Sequence, residues 1–188
     1  QATRSHSNRA SPMADSSDPT TCIAFQGDHG AYSDMACRAR FPDMTTLPCR
    51  SFEDTFAAVE SGQAMYAMIP VENSSAGRVA DIHHLLPESG LHIVGEHFQR
   101  VNHQLLAPHG ARLDTIRVVR SHVQALSQCR GFLRKRGLES VVHADTAGAA
   151  AEVANLGDAT QAAIASKLAG EIYDLTTLSE DIEDAEHN

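Results

Sequence analysis

Residues 22–40, with the sequence CIAFQGDHGAYSDMACRAR, contain the unit that decides the fold. The apolar run Cys22–Gln26 predicts a strand, Gly27 ends it, and the segment from Gly30 to Arg40 predicts a helix. The same unit recurs along the chain, because short apolar runs alternate with amphipathic segments. Such alternation is typical of α/β layers built on largely parallel sheets.

The alternation divides the chain into two lobes joined by extended segments. We predict a first lobe over residues 22–98, a second over residues 99–178, and a helix within residues 179–188 that leads back to the first lobe. Further strands are predicted at 45–49, 66–71, 116–119, 141–144, 162–165 and 175–178. Further helices are predicted at 51–62, 79–86, 121–135, 146–156, 166–173 and 180–187, with a polar loop at 72–77 and extended segments at 91–96 and 101–107. Ligands of such sheets bind at the carboxyl ends of the strands.

Bulk properties exclude several classes of function. The formal net charge of −9 argues against a nucleic-acid partner, which would favour a basic face. No apolar run approaches the length of a membrane span, and residues 1–21 lack the apolar core of a secretory signal, so they are expected to be a disordered leader or a cloning remnant. No C-x-x-C pair occurs among Cys22, Cys37, Cys49 and Cys129, and a chain this long with this much apolar content does not need a disulfide framework. Reduced, mostly buried thiols in a cytoplasmic protein are therefore predicted.

Four strand-to-helix junctions are small, polar and rich in hydroxyl groups. They cover residues 27–33, 72–77, 120–124 and 145–148. Free backbone N–H groups at helix starts bind anions, and Ser, Thr and Asn side chains add neutral donors that suit carboxylates. Ordinary N-capping explains each junction taken singly, and Ser121 and Thr146 are predicted to be N-caps. Four such junctions in one chain favour the binding of a small anionic ligand as much as they favour ordinary N-capping.

Other chemistries have no supporting pattern. The eleven histidines include no H-E-x-x-H motif and no zinc-ligand spacing, so no metal site is predicted. Residues 27–30 form a G-x-x-G that is shorter than the nucleotide-binding glycine motifs, so no nucleotide cofactor is predicted. His122 beside Ser121 does not indicate a nucleophile and its base, because adjacent residues do not usually present these groups to each other.

Four motifs resemble those of prephenate dehydratases and occur in the family's order. They are GDHGAYS at 27–33, IPVENSSAG at 69–77, SHVQALSQC at 121–129 and DTAGAA at 145–150. The set in sequence is more specific than any one motif, and the resemblance spans residues 22–188. It implies a two-lobed α/β domain, similar in outline to type 2 periplasmic binding proteins, with its site in the cleft between the lobes.

The resemblance also implies a reaction and its residues. The reaction would convert prephenate to phenylpyruvate, with loss of carbon dioxide and water, in L-phenylalanine biosynthesis. Aromatisation of the ring drives it, so no cofactor is required. Residues matched to catalytic positions are Asn73, Ser121 and Gln128. Residues matched to substrate-binding positions are Ser33, Ser74, Ser75, Gly77, Gln124 and Thr146.

The sequence departs from the family pattern at its end. A Thr-Arg-Phe motif, whose threonine is the favoured proton donor, would follow shortly after residues 184–188. Neither this motif nor the ACT regulatory domain, through which phenylalanine regulates most relatives, occurs within residues 1–188. We therefore expect the gene to continue past Asn188, the longer protein to be a homo-oligomer, and this part alone to have little activity.

Three other functions remain open on the sequence. Arogenate dehydratase would run the same reaction on the transaminated substrate, and the motifs do not choose between the two substrates. A non-catalytic module of the same fold would bind a small anion without reacting. An interaction domain with ordinary helix caps would bind neither.

Overall fold

A computed structural model of the protein describes residues 18–74 and 77–184. Within these ranges the chain forms ten strands and seven α-helices. The strands are β1 (Cys22–Gln26), β2 (Thr45–Cys49), β3 (Tyr66–Met68), β4 (Glu72–Asn73), β5 (Gly77–Arg78), β6 (Gln104–Ala107), β7 (Val118–Ser121), β8 (Glu139–Val142), β9 (Gln161–Ala165) and β10 (Thr176–Ser179). The helices are α1 (Tyr32–Arg40), α2 (Phe52–Glu60), α3 (Ala80–Glu88), α4 (Val123–Gln128), α5 (Arg130–Arg136), α6 (Thr146–Leu156) and α7 (Lys167–Ile172).

The strands form two main sheets, which confirms the predicted α/β fold. The first sheet has the order β2-β1-β3 and is parallel throughout. The second has the order β10-β6-β9-β7-β8, in which β7, β8 and β9 are parallel while β6 runs antiparallel to both β9 and β10. The expectation of a mostly parallel sheet is therefore met in full by the first lobe and only in part by the second.

The apolar core explains why β1 is a continuous hydrophobic run. Strand β1 lies between β2 and β3, and its residues from Cys22 to Phe25 are buried. One apolar cluster includes residues of both sheets, because Phe25 of β1 shares it with Ala163 of β9 and with Ala149 and Val153 of α6. The small side chains of α6 allow this helix to pack closely against the second sheet.

Several predicted helix boundaries are wrong, two of them because a different side chain makes the cap. Ser121 is the last residue of β7 rather than an N-cap, since it pairs with Val142, and the His122 side chain accepts the hydrogen bond from Gln124 N instead. Thr146 is the first helical residue of α6, which is capped by the carboxylate of Asp145. The single helix expected at 121–135 is two helices, α4 and α5, separated at residue 129.

Other segments differ from the prediction in length or type. Strand β3 is shorter than the predicted 66–71 and is half-buried, and the expected loop at 72–77 contains the hairpin of β4 and β5. Residues 91–103 have no regular secondary structure. The predicted helix at 180–187 is absent over residues 180–184, where Ile182 N donates to His103 O instead, and its remainder lies outside the described residues.

Two bulk expectations can be compared with the described residues. Cys22, Cys37 and Cys129 are buried and Cys49 is half-buried, all as free thiols. In residues 18–74 and 77–184, no helix combines the length and apolar character needed to cross a membrane. The expected leader falls almost wholly on residues 1–17, outside the described part.

Candidate functional site

The carboxyl ends of the parallel strands in the two sheets face each other. The loop after β1 contacts the segment after β9, where the buried hydroxyl of Ser166 donates a 2.5 Å hydrogen bond to Gly30 O. The hydroxyl of Tyr173 donates to His29 O at 2.9 Å in the same region. Polar residues that follow strands in either lobe are therefore directed to a common boundary.

The helix start at α6 is occupied by carboxylates from both lobes. Asp145 accepts a 2.6 Å hydrogen bond from Gly148 N. A Cβ atom added at Gly148 would lie 2.7 Å from Asp145 Oδ2, 2.8 Å from His143 Cε1 and 3.0 Å from Asp28 Oδ2. Asp28 of the first lobe thus lies beside the positive end of a second-lobe helix, the end that attracts anions. Thr146, half-buried, follows directly after the capping residue.

Ser121 and Gln128 lie at opposite ends of the α4 segment. Ser121 is fully buried, and its hydroxyl donates a 2.6 Å hydrogen bond to Ile164 O of the neighbouring strand β9. Gln128 is half-buried at the end of α4, where its Oε1 lies 2.7 Å from His103 Nε2. Its backbone carbonyl accepts a 2.7 Å hydrogen bond from Asp184 N.

Sequence reasoning missed His103, which joins the lobes through Tyr32. The ring of His103 is only 2% exposed, and its Nδ1 lies 2.8 Å from the hydroxyl of Tyr32 in α1. Burial lowers the pKa of His103, although Gln128 and Glu183 act to raise it, and burial raises the pKa of Tyr32 well above its ordinary value. The available signal was a histidine directly before the apolar run of β6, where a buried ring requires polar partners.

The remaining predicted site residues are placed on exposed or half-buried positions. Asn73 and Gly77 pair in the β4–β5 hairpin, which follows β3, and β3 ends at the same sheet edge as β1. Gly77 has a φ of +80°, a conformation that favours glycine. Ser74 is exposed, as is Gln124 on α4, while Ser33 on α1 is half-buried. Ser75 lies outside the described residues.

Two cavities in the described part of the chain have linings that include none of the predicted site residues, although Tyr32 lines the first. A cavity of about 330 Å³ is lined by Tyr32, Met35, Gln99, Arg100, Asn102, Gln104, Lys167, Glu180 and Asp181. Another of about 510 Å³ is lined by Arg112, Leu113, Asp114, Arg136, Thr177 and Leu178. Because neither lining includes a predicted site residue, the facing strand ends define the candidate site better than cavity volume does.

Two α/β lobes with hydroxyl and amide side chains at facing strand ends are an arrangement typical of domains that bind small ligands. The chain belongs to the prephenate dehydratase family, because the sequence profile of that family matches residues 23–188. The resemblance carried by the four sequence motifs is thereby confirmed at the level of the family.

Individual relatives agree with this assignment. The chain is 54% identical over 166 residues to a bifunctional N-acyl-homoserine lactone acylase/prephenate dehydratase of Komagataeibacter europaeus, covering 88% of this chain and 59% of that protein. It is 44% identical to arogenate dehydratase/prephenate dehydratase 2 of Arabidopsis thaliana, covering 86% of this chain and 42% of that protein. The crystal structure of prephenate dehydratase in complex with L-Phe from Arthrobacter aurescens superposes with a TM-score of 0.81 at 27% identity, covering 89% of this chain and 57% of that one. The chain thus spans between 42% and 59% of the length of these three proteins.

Proposed function

We propose that the chain is the catalytic domain of a dehydratase that converts prephenate to phenylpyruvate in L-phenylalanine biosynthesis, in the cytoplasm. The observation that carries this proposal is that strand ends of the two lobes face each other. The motifs after β1 and β3 belong to one lobe and those at β7 and β8 to the other, so this arrangement directs all four motifs to one boundary. Residues 22–98 and 99–178 are proposed as the two lobes, with residues 179–188 leading back to the first. This division agrees with the membership of the two sheets.

The reaction needs binding and orientation more than it needs a cofactor. The C–C bond to the departing carboxylate breaks, its electron pair enters the ring, and the ring hydroxyl leaves as water once it receives a proton. Asn73, Ser121 and Gln128 are proposed as the catalytic residues, with the two amides as donors at the reacting ring. Residues that would hold the substrate carboxylates are Ser33, Ser74, Ser75, Gly77, Gln124 and Thr146. In the longer protein, the proton donor is proposed to be the threonine of the Thr-Arg-Phe motif.

Arogenate is the rival substrate, and the names of the relatives include both activities. The test is a side-by-side assay of the full-length protein, measuring phenylpyruvate from prephenate and phenylalanine from arogenate. Spontaneous aromatisation of prephenate in acid is subtracted with an enzyme-free sample. Turnover of arogenate alone would reassign the substrate.

The same experiment separates the non-catalytic functions. If neither substrate is turned over, a thermal shift on adding prephenate or phenylpyruvate would indicate a small-anion-binding module, and no shift would favour an interaction domain. The longer protein is also proposed to be a homo-oligomer that phenylalanine regulates through an ACT domain. Analytical ultracentrifugation measures the oligomeric state, and the dehydratase assay repeated with added phenylalanine measures the regulation.

A second candidate activity is hydrolysis of N-acyl-homoserine lactones, favoured by the name of the Komagataeibacter relative. Ser121 and His122 do not form a nucleophile–base pair, since their side chains bond to separate backbone groups. A hydroxyl–imidazole–carboxylate row does occur where His109 lies 2.7 Å from Thr176 and 3.0 Å from Asp174. Its imidazole and carboxylate are 62% and 92% exposed, which leaves them open to solvent. Release of homoserine lactone by the wild type, lost in Thr176→Val, would establish this activity at that row; no release by the wild type would exclude it.

A further inference from the structure

A row of three polar side chains, with the buried ring of His103 at its centre, crosses from the first lobe to the second. The hydroxyl of Tyr32 lies 2.8 Å from Nδ1 of His103, and Nε2 of His103 lies 2.7 Å from Oε1 of Gln128. Tyr32 begins α1, His103 precedes β6 and Gln128 ends α4, so no two of the three belong to the same element. One member of the row, Gln128, is a residue that the proposed function uses.

We infer that His103 is a positioning residue that orients the side-chain amide of Gln128, so that this amide presents its N–H donors to the substrate. The inference rests on the proposed function, in which Gln128 contacts the reacting ring. His103 itself does not touch the substrate in this scheme and acts through Gln128.

The direction of the amide follows from which of its atoms faces the imidazole. Oε1 of Gln128 can only accept, so Nε2 of His103 carries the proton and donates it. The oxygen and nitrogen of a primary amide lie on opposite branches of one plane. Because the amide oxygen of Gln128 is held toward His103, the NH₂ group of the same amide points away from the imidazole. A carboxylate or a departing hydroxyl offers lone pairs, which an NH₂ group binds and an amide carbonyl repels.

His103 is itself held on several sides. Its ring packs edge-on against that of Tyr32 with 5.5 Å between centroids. Its backbone N–H donates to Glu183 Oε2 at 2.9 Å, and its backbone carbonyl accepts from Ile182 N at 3.0 Å. The single proton of the Tyr32 hydroxyl is shared between two acceptors, Nδ1 of the ring and the carbonyl oxygen of Asn102, which lies 2.9 Å from the hydroxyl oxygen. A ring fixed at both nitrogens and at the backbone can hold an amide in one orientation.

The alternative is a purely structural bridge between α1 and the second lobe. Burying an imidazole is costly unless its polar atoms are paired, and an apolar ring would fill the same space without that cost. A bridge and a positioning residue differ in one respect, because only the latter loses its effect when Gln128 is removed. A double-mutant cycle measures that difference.

The cycle uses His103→Phe, Gln128→Ala and the double variant in the full-length protein. We expect His103→Phe to lower kcat on the order of 10- to 100-fold with a smaller change in KM, the loss expected from a displaced catalytic group. In the Gln128→Ala background the same substitution should lower kcat less than twofold. His103→Gln, whose amide can donate from near the position of Nε2, should recover part of the loss. His84→Phe, on the exposed face of α3, is the matched control.

Losses that multiply across the cycle would overturn the inference, as would full kcat in His103→Phe. A readout without turnover separates this failure from failure of the proposed function. Long-range ¹H–¹⁵N spectra should show His103 as the neutral tautomer protonated at Nε2, and His103→Phe should shift the Gln128 amide protons in an otherwise unchanged spectrum. If the wild type turns over neither substrate, the proposed function fails and these spectra decide the positioning alone. A proton on Nδ1 only, or unshifted Gln128 amide signals, would refute it.

Discussion

Gly30 and Ala169 lie so close together that a Cβ atom added at Gly30 would be 2.7 Å from the Cα of Ala169. The contact joins the loop after β1 to helix α7, and the buried Ser166 hydroxyl bonds to Gly30 O beside it. Gly30 also has a φ of +92°, in the region that side chains rarely adopt. Close backbone approach and backbone conformation therefore both require glycine where the lobes meet.

Gly30→Ala should destabilise the protein by more than backbone strain alone. Gly110 is a matched control, because its φ is +86° and no heavy atom lies within 4 Å of an added Cβ. Gly110→Ala should cost about 1 kcal/mol for its backbone conformation. Gly30→Ala should cost a further 1–3 kcal/mol or so for overpacking against backbone that cannot move away. Urea denaturation measures both, and equal losses would show that the lobes separate without cost.

A buried carboxylate organises the same loop and makes stability depend on acid pH. Asp34 is fully buried and accepts hydrogen bonds from Gly30 N at 2.8 Å and from Arg38 Nε at 3.0 Å. Burial raises the pKa of Asp34, but these bonds and the Arg38 charge outweigh it, so the pKa lies below the ordinary 3.8. Because the pKa is depressed on folding, the carboxylate stabilises the fold above 3.8 and loses this contribution as the pH falls through the folded pKa.

Asp34→Asn should therefore be less stable than the wild type at pH 7, and the difference should shrink as the pH falls below 3.8. Chemical denaturation between pH 7 and pH 2.5 follows this change. Asp114→Asn is the control, since Asp114 pairs with Arg112 on the surface, where the free energy of an ion pair is small. A difference that stays constant across the range would mean that folding does not shift the pKa of Asp34.

Strand β1 and the start of helix α2 show what the sequence predicts well. The apolar run of β1 and the Ser51 cap of α2 are both found where local patterns place them, with Ser51 accepting from Asp54 N. Such features depend on neighbours within four residues. The four motifs likewise identified the family, because their order along the chain is itself informative.

Ser121 and His103 show what the sequence could not predict. Serine is a residue type that favours N-caps, but the partners of Ser121 keep it in the strand. These partners, Val142 and Ile164, lie 21 and 43 residues away along the chain. His103 belongs to no motif, and its ring partners come from α1 and α4. Whether Ser121 caps a helix, and which groups pair with His103, are decided by tertiary contacts with residues far along the chain.

The buried imidazole of His103 should make stability depend on pH near neutrality. Burial lowers the pKa of His103 below the ordinary 6.5, against the opposing effects of Gln128 and the Glu183 carboxylate. Between the folded pKa and 6.5 the unfolded chain binds a proton that the folded chain does not, so stability should fall as the pH is lowered through this window. Tyr32, the other ionisable group at the ring, stays protonated there because its pKa is raised.

The measurement compares the free energy of unfolding of the wild type and His103→Phe between pH 7.5 and pH 5. The variant should lose less stability over that range, because it has no imidazole to protonate at this position. His84→Phe removes an exposed histidine and should keep the wild-type pH dependence. Identical curves for the wild type and His103→Phe would show that His103 is not held as the neutral ring.

Asn73 offers the clearest separation of turnover from folding among the proposed catalytic residues. Ser121→Ala removes a buried hydrogen bond and should cost about 0.5–1.5 kcal/mol of stability in addition to any loss of turnover. Asn73 lies half-buried in a two-residue strand, so Asn73→Ala should change stability by less than that. If its amide is a donor to the reacting ring, kcat should fall on the order of 10²- to 10³-fold.

Asn155→Ala makes the same change at an exposed position of α6 and should alter neither kcat nor stability by a comparable amount. Wild-type turnover in Asn73→Ala would remove Asn73 from the site, whereas a turnover loss that tracks unfolding would assign it to the hairpin's structure.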